Sequence, residues 1–499
     1  FPELHHSVER RSFAHGPVAM QQFDAGFFSL GILAASAVIF LSNTYWLKGI
    51  NRRTFKAKVL PTFAEEPSEA VLRLWPPNPV CSDTSPRREI EEAAAAAAAE
   101  RRSSSSACPD LQKWAREAIA EQLSPWNRTG ITDNMFQASF EHTKLFSTST
   151  KITIKDGKVS GGTPMARYMK RALESWPFKR EDLKDFMVMD SNGDWPTQGK
   201  WEPQDDKPSE SPELVNTNNG NFWGLLVPTT VRPIFGDTFL KDREIALKLG
   251  ARVPFRERKD IAVWRGNIGC TLGCGPKGRA YFPENHLEEC SDNLKYPKYD
   301  PEHDINNVGY ARSCADGING KTGSWMRHWR WSLVTYSTTC AEECGIDAKL
   351  TNLPDTVSPF VLNYTGKYAR TRVGGFMDDA ETASARYVFT VGNNGYSDRS
   401  WRMFFLGSVV LMVDSGYTEW YHSMIKPYVH YVPIRSDSSD TCEALRWLRE
   451  NPEEAELIAK RAREFAEQCM DLPMVNTYVS EAIRQLGALW ELGHKDTQR

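Results

Sequence analysis

Residues 387–413 constrain the fold more than any other stretch. Tyr387 to Val391 reads as a strand, rich in β-branched and aromatic side chains. Gly392-Asn393-Asn394-Gly395-Tyr396-Ser397-Asp398 is a loop, Arg399 to Leu406 has helix-compatible apolar spacing, Gly407 ends it, and Ser408 to Val413 is an apolar strand. Strand, glycine loop, short helix and strand make a compact βαβ unit, which calls for a parallel sheet. Val429 to Ile434 adds a strand. A helix over 452–469 follows, with Asn451 as N-cap, Pro452 and two glutamates in its first turn, and Ile458, Ala462, Phe465 and Cys469 on one face. A last helix covers 476–492.

Upstream, 110–123 and 164–176 read as helices, Phe186 to Met189 and Ile261 to Trp264 as strands. Ile152-Thr153-Ile154 and Lys158-Val159 flank Asp156-Gly157, a pair suited to a tight hairpin. Two α/β units separated by an irregular insertion are expected.

A chain of 499 residues is too long for one ordinary core, so two or three domains with tails are expected. With Lys+Arg 61 against Asp+Glu 64 and a net charge of −3, nothing argues for nucleic acid as a partner. Residues 25–47 carry no formal charge and end in Tyr45-Trp46 and Leu47, which reads as a transmembrane signal anchor after a tail at 1–24. The basic residues after it, Lys48, Arg52, Arg53, Lys56 and Lys58, favour a cytosolic C-terminal side. Two sequons, at Asn127 and Asn363, and ten cysteines favour a lumenal one, which is the reading adopted. Six cysteines fall within 270–344, with CxxxC pairs at Cys270/Cys274 and Cys340/Cys344. Disulfides, a zinc site of Cys270, Cys274, His286 and Cys290, and free thiols all remain open. Residues 48–109 read as a low-complexity stem: the alanine run Ala93 to Ala99 has no apolar face to bury, so the segment is spacer.

Three places offer chemistry. The glycine loop 392–398 lets backbone approach a ligand, and Ser397 and Arg399 add a hydroxyl and a bidentate cation, as phosphate binding needs; a glycine turn before a helix is more often only a turn. Arg265-Gly266 stands at a strand end, where ligands collect in open α/β sheets; a structural salt bridge is the plainer reading. Asp194, held before Trp195-Pro196, could act as general base, though Asp at a turn start is usually an Asx-turn residue. There is no GxSxG, complete Walker loop or HExxH, and no Asp-x-Asp pair to clamp a diphosphate through a metal.

Read in order, Ile152-Thr153-Ile154 with Asp156-Gly157-Lys158, Asp194-Trp195-Pro196, Trp264-Arg265-Gly266, Arg386-Tyr387-Val388-Phe389, Gly395-Tyr396-Ser397-Asp398-Arg399, Glu419-Trp420 and Lys426-Pro427-Tyr428-Val429-His430-Tyr431-Val432-Pro433 resemble glycosyltransferase family 90 over about 110–480. That family includes lumenal protein O-glucosyltransferases and fungal capsule xylosyltransferases. The resemblance implies a GT-B-like fold of two Rossmann-type domains facing a cleft: an acceptor-side domain at 110–250, a UDP-sugar-binding domain at 251–475 with the cysteine-rich insertion 270–344, and a C-terminal helix and tail at 476–499. It implies an inverting transferase of the Golgi or endoplasmic reticulum, moving xylose or glucose from a UDP-sugar to a protein or glycan hydroxyl without metal. By position, Asp194 matches the catalytic base, Arg265 and Gly266 the diphosphate contact, Gly395, Ser397 and Arg399 the glycine loop on the UDP side, and Glu419 the acidic residue of the Glu-Trp element. Gly392, where many members carry an acid, and Asn267-Ile268-Gly269-Cys270 depart from the pattern. A binding protein that kept the fold without activity is the alternative.

Overall fold

The computed structural model describes residues 81, 84–103, 108–146, 150–190, 208, 210–218, 224–228, 237–267, 329–351, 373–392, 397, 399–415 and 417–495. The expected anchor 25–47, the tail before it, most of the insertion with Cys270, Cys274, His286, Cys290 and Cys314, and the Asn363 sequon lie outside the described residues. Among the described residues no helix is long and apolar enough to cross a membrane. Asn127 is exposed at the end of a short 3-10 turn.

Helix α1 (Arg87–Ser103) comes first, then α2 (Leu111–Leu123) and α3 (Asp133–Phe146). Asp110 starts α2, its carboxylate accepting from the Gln112 and Lys113 amides. Strands β1 (Thr150–Lys155) and β2 (Lys158–Ser160), helix α4 (Pro164–Glu174), and strands β3 (Phe186–Asp190), β4 (Glu213–Val215) and β5 (Gly224–Leu226) follow. The expected hairpin is present: Asp156 and Gly157 both take positive φ, 50° and 70°, so the turn follows the twist of β1 and β2.

After α5 (Asp237–Arg252) come β6 (Lys259–Gly266), α6 (Trp329–Cys344), β7 (Ile346–Leu350), the short α7 (Asp379–Ala383) and β8 (Ala385–Val391). The chain ends with α8 (Ser400–Phe405), β9 (Val409–Val413), β10 (Val432–Ile434), α9 (Thr441–Glu450), α10 (Pro452–Cys469) and α11 (Leu472–Lys495).

The second sheet runs β10-β9-β8-β6-β7, and every pairing in it is parallel, as the βαβ pattern requires. Its strands are apolar on both faces. Val263, Val388 and Val410 enter one core, while Ala262, Trp264, Tyr387, Phe389, Val409 and Leu411 enter the other. Gly407, at φ 66°, makes the turn from α8 into β9 that most residues resist.

Several expectations are corrected. The first sheet, β2-β1-β3-β4-β5, is mixed: β1 is antiparallel to both β2 and β3, so it departs from an all-parallel Rossmann half. The hairpin itself imposes the reversal. The last helix begins at Leu472, and α11 is not an appendage: Trp114 of α2 lies 5.2 Å from the Tyr478 ring, and the Tyr478 hydroxyl donates to the Leu226 carbonyl at 2.9 Å. Asn451 stands at the N-cap of α10, but its side chain makes no cap; its amide donates back to the Trp447 carbonyl at 2.8 Å.

The described part of the 48–109 segment is not spacer. Ile90, Ala94 and Ala97, at helical spacing, are buried in the core that holds Ala444, Leu445 and Leu448. Arg87 pairs with the buried Glu443 at 3.1 Å and with Glu450 at 2.6 Å. Cys81 is bonded to Cys340, Cys108 to Cys469, and Cys344 to Cys442, so the CxxxC pair at 340 and 344 reaches two different partners. Ala94→Asp should therefore cost about 2–4 kcal/mol by placing a charge in an apolar contact. Denaturant unfolding reads this out, and a loss below about 0.5 kcal/mol, normal for a surface site, would restore the spacer reading.

Candidate active site

In a parallel sheet all the strands release their chains at the same edge, so the loops after β8, β9 and β10 share one side. A cavity of about 560 Å³ opens there. Its floor includes Gly392 and Ser397 after β8, and Asp414, Thr418, Glu419 and His422 after β9; Ala118, Glu121 and Gln122 of α2 form a facing wall. The walls are joined by a pair of backbone bonds, Asn218 N–H to Thr418 O at 3.1 Å and Thr418 N–H to Asn218 O at 2.8 Å. Trp420, Trp114 and Tyr478 pack behind this junction, Trp420 lying 6.0 Å from Trp114 and 5.2 Å from Tyr478.

Ser397 and Glu419 thus meet in one cavity, Glu419 buried. Arg399 and the end of β6 adjoin each other, because the Arg399 guanidinium donates to the Arg265 carbonyl. Arg265 itself is committed to the protein. Its guanidinium donates to the Asp347 carboxylate and the Asp347 carbonyl, both at 2.7 Å, to the Trp264 carbonyl at 2.9 Å and to the Gly375 carbonyl at 3.2 Å. Gly266 is needed for a local reason: a Cβ there would stand 2.5 Å from the Trp264 ring. Asp194 and Gly395 lie outside the described residues. Helix α8 has six residues, and its N-cap Arg399 provides no side-chain cap.

Two groups escaped prediction from the sequence. Arg330, buried, donates to the carbonyls of Gly392 at 2.7 Å, Val391 at 3.2 Å and Asn267 at 2.8 Å, and so ties the ends of β6 and β8 together. No sequence signal marks it. His422 lies on the 3-10 turn after the Glu-Trp element, three residues from Glu419, with Nε2 3.7 Å from a Glu419 carboxylate oxygen. That i, i+3 spacing is the one signal that could have found it. Burial pushes its imidazole down to about 4, so the ring is neutral at pH 7. The Tyr431 hydroxyl, also on the cavity, is pushed up to about 12, first by burial and then by Asp414. Within the Pro-Tyr-Val-His-Tyr run, His430 holds the backbone: its Nδ1 accepts the Lys426 amide at 3.0 Å.

Residues 325–496, about a third of the chain, match the family model described as Glycosyl transferase family 90. Ser397, Arg399 and Glu419 lie inside that stretch; Asp194, Arg265 and Gly266 precede it. Protein O-glucosyltransferase 1 of Rattus norvegicus is 31% identical over 93 residues, covering 19% of this chain and 24% of that protein. Protein O-glucosyltransferase 2 of Danio rerio is 44% identical over 59 residues, 12% of each chain. Uncharacterized protein 179R of Invertebrate iridescent virus 6 is 26% identical over 113 residues, 21% of this chain and 10% of that one. The matched segments thus span a quarter or less of these relatives. Among solved structures, the Anabaena protein HepE in complex with UDP-glucose aligns at 15% identity over 31% of this chain and 44% of its own, with a TM-score of 0.24, too low to carry an argument.

The Arg265–Asp347 pair makes a pH-dependent prediction. Burial alone would raise the Asp347 carboxyl, but the hydrogen bond and charge of Arg265, with Lys349, outweigh it and hold the group below its ordinary 3.8. A depressed carboxyl stabilises the fold above its unfolded value and loses that contribution as pH falls through the folded one. Arg265→Ala should cost about 1.5–3 kcal/mol at neutral pH, the range for hydrogen bonds to charged groups. The deficit against the parent should shrink below pH 3.8. Thermal melts across pH test it; a pH-independent deficit would assign the stabilisation to the carbonyl contacts instead.

Proposed function

With its C-terminal third belonging to glycosyl transferase family 90, we propose that the chain is a UDP-sugar-dependent glycosyltransferase of GT-B-like architecture. One observation carries the reading: the family-matched stretch brings Ser397 and Glu419 to a single cavity at the carboxyl edge of a parallel sheet, faced by α2 of the other α/β half. Ser397 would lie on the diphosphate side, with Arg399 and the Arg265-Gly266 strand end next to it. Asp194, four residues beyond β3, is the proposed general base, taking the proton of an acceptor hydroxyl as it attacks the anomeric carbon and the UDP leaves with inversion. The absence of an Asp-x-Asp pair in the sequence favours neutralising the diphosphate with guanidinium and backbone N–H groups rather than a clamped metal. Glucose and xylose are the proposed sugars, and a protein or glycan the acceptor.

A lumenal setting in the Golgi or endoplasmic reticulum, behind a membrane anchor at 25–47, belongs to the same proposal. The three disulfides support it, since such bonds persist in oxidising compartments. One observation favours the alternative of a binding protein without turnover: the Arg265 guanidinium is committed to Asp347 rather than directed at the cavity.

Incubating the full chain with a panel of UDP-sugars, with and without chelator, separates the readings. Sugar release or transfer should be seen with one donor and should survive chelation. Asp194→Asn should lower turnover by about 10²–10⁴-fold, the usual contribution of general base catalysis, while leaving UDP affinity unchanged. UDP binding without turnover of any donor would support the binding-protein reading; strict manganese dependence would exclude the metal-free mechanism.

A further inference from the structure

His422 is the cavity group whose state is least explained by the fold. Its Nε2 is buried and has no hydrogen-bond partner among the described residues; the nearest charged atom, a Glu419 carboxylate oxygen, is 3.7 Å away, beyond hydrogen-bond distance. Both residues line the cavity. They are fixed on one side of it by a single turn, in which the His422 amide donates to the Glu419 carbonyl at 3.0 Å, and by Ser423, which accepts the Trp114 indole N–H at 2.9 Å. A buried polar atom left without a partner is normally satisfied by water or ligand.

We propose that His422 and Glu419 form a site for a vicinal diol of the donor, on its ribose or its transferred sugar, with His422 setting specificity for one hydroxyl. The proposal rests on the UDP-sugar reading and deepens it. A carboxylate repels phosphate and only accepts hydrogen bonds, so Glu419 selects a ligand part that donates them. The neutral ring, with its Nε2 on the same patch, adds no positive charge for phosphate but can share a hydrogen bond with the same group. A hydroxyl, which donates and accepts at once, fits both partners. The phosphate-suited groups, Ser397 and Arg399, come from the neighbouring strand end after β8.

Calorimetric titration of the full chain tests this with UDP, 2′-deoxy-UDP, 3′-deoxy-UDP, UDP-glucose, UDP-xylose and deoxy-sugar analogues of the last two. In the parent protein, removal of the contacted hydroxyl should weaken binding about 10-fold or more, and the analogue that loses affinity tells ribose from transferred sugar. His422→Phe should weaken the complete ligand by a similar factor yet leave the deoxy analogue unaffected; His422→Gln, which restores an amide near the Nε2 position, should recover part of the loss. Equal binding of every deoxy analogue by the parent protein overturns the proposal, whether or not the Phe variant folds. So does an equal loss for complete and deoxy ligands in a folded variant, the signature of a purely structural role. Failure of UDP and both UDP-sugars to bind the parent protein overturns the donor reading and this site with it, whereas binding without discrimination leaves the donor reading standing and removes only the diol site.

Discussion

The parallel sheet β10-β9-β8-β6-β7 is the constraint on which the rest depends, because it fixes where loops and helices must go. Strands that all run one way and are buried on both faces put their starts on one edge and their exits on the other. Each edge is held by a buried arginine. At the entry edge, Arg258 donates to the carbonyls of Gly250 at 2.7 Å and Leu406 at 2.9 Å and to the Ser408 hydroxyl at 2.9 Å; Ser408 in turn donates to Ala385 at 2.8 Å. Burial, then the nearby Arg463, pushes this guanidinium down to about 10, still charged at neutral pH. At the exit edge Arg330 does the same for Asn267, Val391 and Gly392. Planar forks with five donors suit both edges, since each can satisfy several carbonyls that no strand partner reaches.

Covalent links then bring sequence-distant segments onto that sheet. Cys81–Cys340 and Cys108–Cys469 join residues 259 and 361 positions apart, and each anchors a segment preceding the first sheet to a helix of the second half. In the chain-entropy account, closing loops this long limits the unfolded ensemble strongly. Helix α1 gains most from such a link. Its buried side chains are small, Ala94 and Ala97 with Ile90, so the area they remove from water is modest and its docking leans on Cys81 and on the Arg87–Glu443 and Arg435–Glu89 pairs.

That also explains why α1 was hidden in the sequence. An apolar face is recognised by large residues at helical spacing, and an alanine run presents the same surface all round, so the side that docks is set by the partner. The βαβ unit at 387–413 was legible because strand, glycine and helix signals fall within one short stretch. The Asp156-Gly157 hairpin was legible for the same reason. Partners far apart in sequence were not: nothing near Arg265 indicates that Asp347, 82 positions on, takes its guanidinium, and spacing did not reveal that Cys340 and Cys344 pair away from each other. Of the expected site residues, Ser397 and Glu419 converge on the cavity, Arg399 reaches the neighbouring strand end, and the role of Arg265 in the fold is clearer than any role toward a ligand.

The cavity is a property of both halves, and its far wall is the less secure. Its floor is continuous with the parallel sheet, but α2 is held over it by a narrow set of contacts. Gln122 accepts the Leu226 amide at 2.8 Å and lies 3.3 Å from the Tyr478 hydroxyl, which donates to Leu226. Tyr478 belongs to α11, the last helix of the chain, which returns to the first half after α10 has packed on the second. The bond Cys108–Cys469 stands at that return, joining a residue just before α2 to the last residue of α10. The wall is thus placed by the chain's final crossing rather than by strands beside it. Side chains on the floor can change with little effect on the cavity's shape, whereas a change at Tyr478 reaches the cavity through Gln122 and Trp420 without touching any ligand group.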